Sequence, residues 1–242
     1  MMLNMFNSKT RKGEETRARV QDAALALFRE KGLDATTMRD VAAGAGLSLG
    51  AAYHYFPSKE AIVLGYYNTV QARHAEAVLE AVRTESTPRG RIAAAVHWKL
   101  DTLAGDRKVL GALLRFTGDP DHPLSFLGAG TRDIQLRSIA TFAVPLESVD
   151  LPADFRRAAA VTLWALHMGI LLYFLYDDSP GQARTHRLAD GAIDLFLSAM
   201  RLLRFPPLRP LRTRLTRLLD EAGLLPDLAA LPRPEPAPPP GA

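Results

Sequence analysis

Apolar residues recur at helical spacing along most of the chain. Between Glu14 and Lys31 they repeat every three or four positions, with acidic residues at the start and Gly32 at the end, which is typical of an amphipathic helix. No sustained alternation of apolar and polar residues, the pattern of a half-buried strand, occurs in the sequence. The chain is therefore predicted to be all-α. The further predicted helices cover residues 37–45, 49–55, 59 to before Pro88, 89–104, 107–116, 131–145, 153–176 and 182–204.

Two of these helices are short and follow each other closely. Thr37 stands three residues before Asp40, the spacing of a capping box, and this helix ends near Gly46. Ser48 is a favourable N-cap for the next helix, and Pro57 ends it. A short helix, a glycine-containing turn and a second short helix are typical of a helix-turn-helix, whose second helix enters the major groove of DNA.

The residues after this turn carry the chemistry that a DNA groove requires. Small Gly50 and Ala51 permit close approach of the backbone. Tyr53 and His54 can donate hydrogen bonds to phosphate oxygens, although a solvated surface position is the alternative for His54. Lys59, in the first turn of the next helix, can bind a phosphate as a point charge.

The segment resembles the N-terminal module of the TetR family of bacterial repressors. The resemblance covers about residues 17–67 and rests on Ala24, Leu27, Phe28, Gly32, Thr36, Thr37, Val41, Ala42, Gly46, Leu47, Ser48, Gly50, Tyr53, His54, Tyr55, Phe56, Ser58, Lys59 and Glu60. It implies a three-helix DNA-binding module with a helix-turn-helix, joined by a long fourth helix to a helical ligand-binding and dimerisation domain. The positions that match DNA-facing ones in the family are Thr37, Arg39, Ser48, Leu49, Gly50, Tyr53, His54 and Lys59.

Three positions of this segment need comment. Leu49 and Ala52 depart from the residues usual in the family, so the resemblance carries over no operator sequence. Arg39 can make a bidentate contact to guanine, with a solvated helix position as the alternative. The resemblance therefore predicts DNA binding but not base preference.

Breaks in composition divide the chain into five segments. Residues 1–13 are polar and basic and are expected to form a flexible arm. Residues 14–57 are assigned to the helix-turn-helix DNA-binding domain, and residues 58–204 to a helical regulatory and dimerisation domain. Residues 205–225 form a basic amphipathic segment, expected to pack on the dimer, with attraction to DNA or a membrane surface as the alternative. Residues 226–242 are rich in proline and are expected to be disordered.

One stretch, Ala158–Tyr176, carries no charged residue. It fits a membrane span of borderline length, or a helix at the centre of a helical dimer. Thr162, His167 and Gly169 dilute its apolar character, so the second interpretation is favoured and no membrane insertion is expected. Pairing of the helices in 156–204 across a two-fold axis predicts a homodimer. The N-terminal residues show no signal-peptide pattern, and a cytoplasmic protein is expected.

The resemblance also implies a small-molecule effector, expected to be lipophilic and left unidentified by the sequence. Aromatic and aliphatic residues of the middle helices are suitable walls for such a ligand, although each is an ordinary core residue in the alternative interpretation. The candidates are His97, Trp98, Phe116, Phe142, Trp164 and His167. Ligand binding is expected to move the two recognition helices away from the spacing of successive major grooves, roughly 34 Å, and so to release a palindromic operator.

Composition narrows the function classes. The chain is 48% hydrophobic and 23% charged, as in globular domains, and its net charge of +4 suits an anionic partner such as double-stranded operator DNA. The absence of cysteine excludes disulfides, thiolate zinc sites and thiol nucleophiles. The six histidines are scattered, and no P-loop or G-x-G-x-x-G motif occurs, so neither a metal, a cofactor nor an enzymatic activity is expected. The alternatives left open are a DNA-binding regulator controlled by a protein partner or acting as an activator and, more remotely, a helical enzyme.

Overall fold

The computed structural model describes residues 2–119, 121–125 and 127–227, with side chains from residue 11 onward apart from Thr117. Every regular element within these residues is helical, which confirms the predicted all-α fold. The α-helices are α1 (Met2–Ala35), α2 (Met38–Gly44), α3 (Leu49–Tyr55), α4 (Lys59–Thr84), α5 (Pro88–Leu103), α6 (Arg107–Arg115), α7 (Arg132–Leu146), α8 (Arg156–Phe174), α9 (Ala183–Leu202) and α10 (Arg209–Glu221). Short 3-10 turns lie at Ala104–Asp106, Phe116–Gly118, Ala129–Thr131, Ala153–Phe155, Pro180–Gln182 and Pro206–Leu208.

The chain divides into two compact units. Among the described residues, unit 1 takes the chain up to Thr69 together with Gly105–Thr131, and unit 2 takes Val70–Ala104 and the chain from Arg132 onward. Helix α4 therefore begins in unit 1 and ends in unit 2. This division differs from the predicted boundary between residues 57 and 58, because the first part of α4, as well as α6 and the loop after it, belongs with the helix-turn-helix.

Unit 1 is built around one apolar core. Helix α1 packs on α2, α3 and α6, and α2 packs on α3. Val109 and Leu113 lie one turn apart on α6 and both enter this core, which explains why α6 joins unit 1. The buried core residues include Val20, Ala24, Leu25, Phe28, Val41, Ala42, Ala52, Phe56, Ile62, Val63, Val109, Leu113 and Leu124.

Helix α1 begins earlier than predicted. The sequence indicates a flexible arm over residues 1–13, whereas the helix starts at Met2 and passes through Gly13. A glycine inside a helix costs only about 1 kcal/mol, and an Arg11–Glu15 ion pair (3.2 Å) spans this position. The predicted end of this helix agrees better with the structure. Gly32 has a φ of 85° and interrupts the helical geometry shortly before the last helical residue, Ala35.

Helix α8 is the central helix of unit 2. It packs against α5, α7 and α9, and α5 also packs against α7 and α9. The stretch Ala153–Phe174 is long and apolar enough to cross a membrane by length and composition, and 56% of its most apolar window is buried inside the structure. Packing among three neighbouring helices accounts for this composition, as expected for a core helix.

The predicted basic segment of residues 205–225 contains α10. Arginine side chains connect this segment to the rest of unit 2. Arg212 of α10 is buried and donates to the Asp154 carboxylate at 3.3 Å. Arg157 of α8 donates to the carbonyls of residues 225 and 226 at 2.8 and 2.9 Å. The expectation for the proline-rich tail falls mostly outside the described residues, which end at Asp227.

Candidate DNA interface and effector site

Local hydrogen bonds hold the start of α2. The Thr37 hydroxyl accepts from the backbone N–H of Asp40 at 3.1 Å, and the Asp40 carboxylate accepts from the backbone N–H of Thr37 at 2.8 Å, forming the predicted capping box. The Lys31 ammonium donates to the same carboxylate at 2.9 Å. Hydrogen bonds from Lys31 and then Thr37 lower the pKa of Asp40 to about 2. The first turn of α2 is thereby held in place, with Arg39 exposed on it.

The turn that follows positions α3. Gly46 has a φ of 65°, a left-handed conformation that favours glycine. The Ser48 hydroxyl accepts from the backbone N–H of Ala51 at 3.2 Å and caps α3. Ala52 and Phe56 are buried in the unit 1 core, and the Arg17 guanidinium lies 4.3 Å from the centroid of the Phe56 ring. One face of α3 is therefore anchored.

The opposite face of α3 is open to solvent. Leu49 is 36% exposed and Tyr53 is 47% exposed, and Gly50 and His54 are exposed as well. Helical spacing places these four residues on one side of the helix. Of the remaining predicted DNA contacts around this turn, Thr37, Arg39 and Ser48 are exposed and Ala51 is half-buried.

Lys59 makes a hydrogen bond within the protein that the sequence does not predict. Its ammonium donates to the carbonyl of Leu33, in the last turn of α1, at 2.6 Å, and its side chain is half-buried. In this conformation Lys59 ties the first turn of α4 to α1. Contact between Lys59 and a phosphate stays a prediction.

Residues 46–50 also match the G-x-S-x-G spacing of a hydrolase nucleophile elbow. That motif places its serine between a strand and a helix, with a base beside the hydroxyl. Ser48 instead follows α2 and a turn, and its hydroxyl accepts the capping hydrogen bond from Ala51. The match therefore reflects a capped turn and not a catalytic site.

Asp106 connects three helical segments of unit 1, and sequence reasoning does not single it out. Its buried carboxylate accepts from Nε of Arg29 on α1 at 2.5 Å and from the hydroxyl of Tyr66 on α4. The hydrogen bond to Asp106 raises the pKa of the Arg29 guanidinium. A buried carboxylate needs such partners, so this network holds α1 and α4 to the segment that starts α6.

A second group of polar side chains lies inside unit 2. It consists of Gln71 and His74 on α4, Lys99 on α5 and His167 on α8, and we name it the buried polar cluster. These four residues are 3%, 0%, 1% and 0% exposed, respectively. The Lys99 ammonium donates to Oε1 of Gln71. Polar residues are mostly exposed in folded proteins, and full burial of a lysine is especially rare. The burial of these four side chains therefore requires an explanation.

Several hydrogen-bonding atoms of the buried polar cluster are unused. His74 Nε2 lies 2.9 Å from the carbonyl of Ala95, and because a carbonyl only accepts, Nε2 carries the proton and Nδ1 is an acceptor. No described residue pairs with His74 Nδ1, Gln71 Nε2 or either ring nitrogen of His167. Buried polar atoms are normally paired, so the cluster is not an ordinary piece of core.

Burial also controls the charge of the cluster. It lowers the pKa of Lys99 to about 7. Burial, followed by the charge of Lys99, lowers the pKa of His74 and of His167 well below the ordinary histidine value. At neutral pH both imidazoles are therefore uncharged, and Lys99 is poised between its charged and neutral forms.

Three of the predicted ligand-binding residues meet at this cluster. The Trp98 and His74 rings stack with centroids 5.5 Å apart. The Phe142 ring lies 5.3 Å from the His74 ring and 4.8 Å from the His167 ring, measured between centroids. Trp98 and Phe142 thus give the polar groups of the cluster an aromatic border.

Of the other three predicted ligand-binding residues, Phe116 and His97 make contacts outside this cluster. Phe116 belongs to unit 1, where its ring stacks on His122 at 3.6 Å between centroids, because α6 directs its apolar face into the unit 1 core. His97 faces α9, with Nδ1 2.8 Å from Nδ1 of His186. Trp164 is buried on α8, three residues before His167.

Sequence reasoning missed Gln71, His74 and Lys99, although helical spacing carries a signal for them. Gln71 and His74 share a buried face of α4 with Val78, and Lys99 falls between Val96 and Leu103 on the buried face of α5. A polar residue on an otherwise apolar stripe marks a buried polar site. Which residues meet there depends on how α4, α5 and α8 pack.

Capped helices α2 and α3, with small and polar residues exposed on α3, define a helix-turn-helix regulator. Residues 21–66 match the family described as bacterial regulatory proteins, tetR family. The transcriptional regulator BetI of Burkholderia thailandensis is 30% identical over 196 residues, which are 76% of this chain and 95% of BetI. The chain belongs to the TetR family, as its sequence predicts.

Two further comparisons mark the extent of the similarity. The transcriptional repressor KstR2 of Mycobacterium tuberculosis is 42% identical over 66 residues, so this chain matches only 33% of the length of KstR2. The crystal structure of Thermus thermophilus FadR, a TetR-family repressor in complex with lauroyl-CoA, has a TM-score of 0.57 and 22% identity, covering 76% of this chain and 94% of FadR. That structure shows a common fold. These relatives are regulators rather than enzymes, in agreement with the sequence-based expectation.

Proposed function

We propose that this protein is a transcriptional repressor that binds a palindromic operator as a homodimer through α2 and α3 and releases it when a lipophilic small molecule enters unit 2. The observation that carries the proposal is the exposed face of α3, with Leu49, Gly50, Tyr53 and His54 side by side on a helix anchored from behind. The major groove, about 12 Å wide, admits such a helix. The names of BetI and KstR2, a regulator and a repressor, support this function.

The surface of α9 supports a homodimer. Leu188, Leu195 and Leu202 recur every seven residues along α9 and are all exposed. A row of large apolar side chains at this spacing favours contact with another helix. Pairing with a second copy across a two-fold axis covers this row and supplies the symmetry that a palindromic operator requires.

The buried polar cluster supports an effector site within unit 2. Thermus thermophilus FadR, which shares the fold, binds lauroyl-CoA. In this chain Gln71 and His74 lie on α4, the helix whose first turns bury Ile62 and Val63 in the unit 1 core. A ligand that shifts α4 at the cluster therefore acts on a helix that also supports the helix-turn-helix.

An electrophoretic mobility shift on the DNA upstream of the protein's own gene tests this function, with excess competitor DNA and at moderate salt. The wild type is expected to shift the DNA, and Arg39→Ala and Tyr53→Ala are each expected to weaken binding about 10-fold or more, since one specific contact contributes about 1–3 kcal/mol. Arg83→Ala, which removes an exposed arginine of α4, is the charge-matched control for Arg39→Ala. No shift by the wild type, or equal losses in all three variants, contradicts the proposal.

A further inference from the structure

We infer that the effector carries a hydroxyl group on an apolar body, and that the buried polar cluster binds this hydroxyl through Gln71, His74 and His167. The inference rests on the proposed function, because it names the chemical class of ligand for the same site in unit 2. Helix α4 contributes Gln71 and His74, one turn apart on one face, and α8 contributes His167. A hydroxyl is indicated by the unused hydrogen-bonding atoms of these residues, by their neutral imidazoles and by the aromatic border of the cluster.

Gln71 offers unused hydrogen-bond donors. Its Oε1 accepts a hydrogen bond from the Lys99 ammonium. Because an ammonium only donates, the amide oxygen is the atom that faces Lys99, and the two N–H groups of Nε2 form the other end of the amide. Gln71 is buried, and no described residue accepts a hydrogen bond from Nε2. A ligand atom beside this end of Gln71 must therefore accept a hydrogen bond.

His74 offers an unused acceptor. Its Nε2 donates to the carbonyl of Ala95 at 2.9 Å, so Nδ1 of the neutral ring has a lone pair and no proton. No described residue donates to this nitrogen. Burial, followed by the charge of Lys99, lowers the pKa of His74 well below the ordinary histidine value, so Nδ1 stays unprotonated near neutral pH. A ligand atom beside Nδ1 must therefore donate a hydrogen bond.

His167 offers one atom of each kind. Its side chain is buried, and neither ring nitrogen has a partner among the described residues. Burial lowers the pKa of His167 as well, so the ring is neutral and has one donor and one acceptor. The Phe142 ring contacts both this imidazole and that of His74. The two histidines therefore border the same part of unit 2.

A hydroxyl group matches this set of atoms. It donates one hydrogen bond and accepts two, so it can donate to His74 Nδ1 while it accepts from Gln71 Nε2 and from the N–H of His167. A carboxylate or an ether oxygen only accepts, and either one places lone pairs against those of His74 Nδ1. An ammonium only donates and faces the N–H groups of Gln71. Because a buried polar atom without a partner is costly, the cluster favours a group that does both.

The aromatic border determines the rest of the ligand. Trp98 stacks on His74, and Phe142 contacts both histidine rings. These rings offer an apolar surface directly beside the polar atoms, as ligand sites with a few placed polar groups do. An alcohol with an alkyl chain or an aromatic ring therefore fits, whereas a small polyol leaves the border without contacts.

Isomeric alcohols and ethers test the inference without any variant. 1-Decanol with 1-methoxynonane, and 2-phenylethanol with benzyl methyl ether, are pairs of isomers in which only the alcohol donates a hydrogen bond. The only two tryptophans of the chain, Trp98 and Trp164, lie in unit 2, so intrinsic fluorescence reports binding there. We expect the alcohol to bind about 10-fold or more tightly than its ether in at least one pair, in line with the cost of a buried acceptor that loses its donor. Equal affinity within both pairs, no binding of either alcohol, or tighter binding of decanoate than of 1-decanol overturns the inference.

Variants identify the residue that accepts from the hydroxyl. His74→Phe removes Nδ1 and keeps a ring of similar size, and it is expected to abolish the preference for alcohol over ether. His122→Phe makes the same replacement in unit 1 and is expected to keep that preference. Full alcohol preference in His74→Phe overturns the inference. If that variant does not fold, His167→Phe, which breaks no hydrogen bond among the described residues, takes its place, with a reduced preference expected and an unchanged one overturning the inference.

Mobility shifts with the same compounds separate this inference from the proposed function. Alcohols that bind in a His74-dependent manner without releasing operator DNA leave the inference standing and contradict the ligand-responsive function. Release of operator DNA by 1-decanol and 1-methoxynonane alike, at equal concentrations, supports the ligand-responsive function and overturns the choice of a hydroxyl.

Discussion

Replacing Lys99 by methionine is expected to stabilise the ligand-free protein near neutral pH. Lys99 is almost fully buried, and burial lowers its pKa from 10.5 to about 7. Holding a lysine with that shift costs the folded state about 4 kcal/mol at pH 7.5. Methionine has no charge to bury, but it leaves Gln71 Oε1 without its donor, which costs about 1–3 kcal/mol. The net expected gain is about 1–3 kcal/mol.

The sign of the pH dependence makes this prediction specific. Between the folded value near 7 and the unfolded value of 10.5, the unfolded chain keeps the Lys99 proton and the folded chain has released it. Wild-type stability therefore rises with pH across this window, and the penalty falls to about 1 kcal/mol at pH 9.5. The advantage of Lys99→Met is expected to disappear there. Both pH values lie above the range in which His74 and His167 titrate, because burial lowers the pKa of each.

Thermal unfolding followed by circular dichroism at one fixed protein concentration measures this effect. A gain of 1 kcal/mol raises the Tm by about 2–4 °C for a chain of this size. Lys12→Met, at an exposed position, is expected to change the Tm little at either pH. A Lys99→Met variant that is less stable than wild type at pH 7.5, or a gain of the same size at both pH values, refutes the reasoning.

Three further predictions concern stability. Asp106→Ala leaves two donors of unit 1 without their acceptor and is expected to cost about 1–3 kcal/mol in chemical unfolding, and an unchanged midpoint argues against the network. Thr37→Ala removes the cap of α2 and is expected to lower the free energy of unfolding by about 1 kcal/mol. Thr37→Ser keeps the capping hydroxyl and is expected to retain most of this stability, and equal losses in both variants contradict the capping role. Burial opposes ionisation of Asp177, but hydrogen bonds from Ser179 and Thr185 lower its pKa below 3.8. The ionised Asp177 therefore stabilises the fold above about pH 4, and this stabilisation is lost as the pH falls further. In urea unfolding, the difference in free energy of unfolding between wild type and Asp177→Asn is expected to shrink in acid.

The sequence by itself determined the helix-turn-helix. Each signal for it joins neighbours in the chain: Thr37 and Asp40 are three residues apart, Ser48 caps a backbone N–H three residues later, and Gly46 takes the left-handed turn. Such hydrogen bonds depend on local geometry, which the residue types and their spacing specify. The all-α fold follows in the same way, because helical periodicity is a local property of each segment.

Tertiary structure decided the partners of the polar groups. The Lys59 ammonium donates to the carbonyl of Leu33, 26 residues away in the chain. The Asp106 carboxylate accepts a hydrogen bond from Arg29, 77 residues away in the chain. Periodicity identifies which face of a helix is buried but does not say which other helix covers it. Hydrogen bonds between distant residues therefore cannot be assigned until packing is known.

The two candidate sites illustrate this difference. The sequence alone predicts the exposed residues of α3 by number, since one helix and its cap present them together. The buried polar cluster draws on α4, α5 and α8, and only packing brings Lys99 to Gln71 and close to His167. Packing likewise places Phe116 against the core of unit 1, because the apolar face of α6 joins that core. A helix carries its own periodicity, whereas a site shared by several helices exists only after each has buried its apolar face against the others.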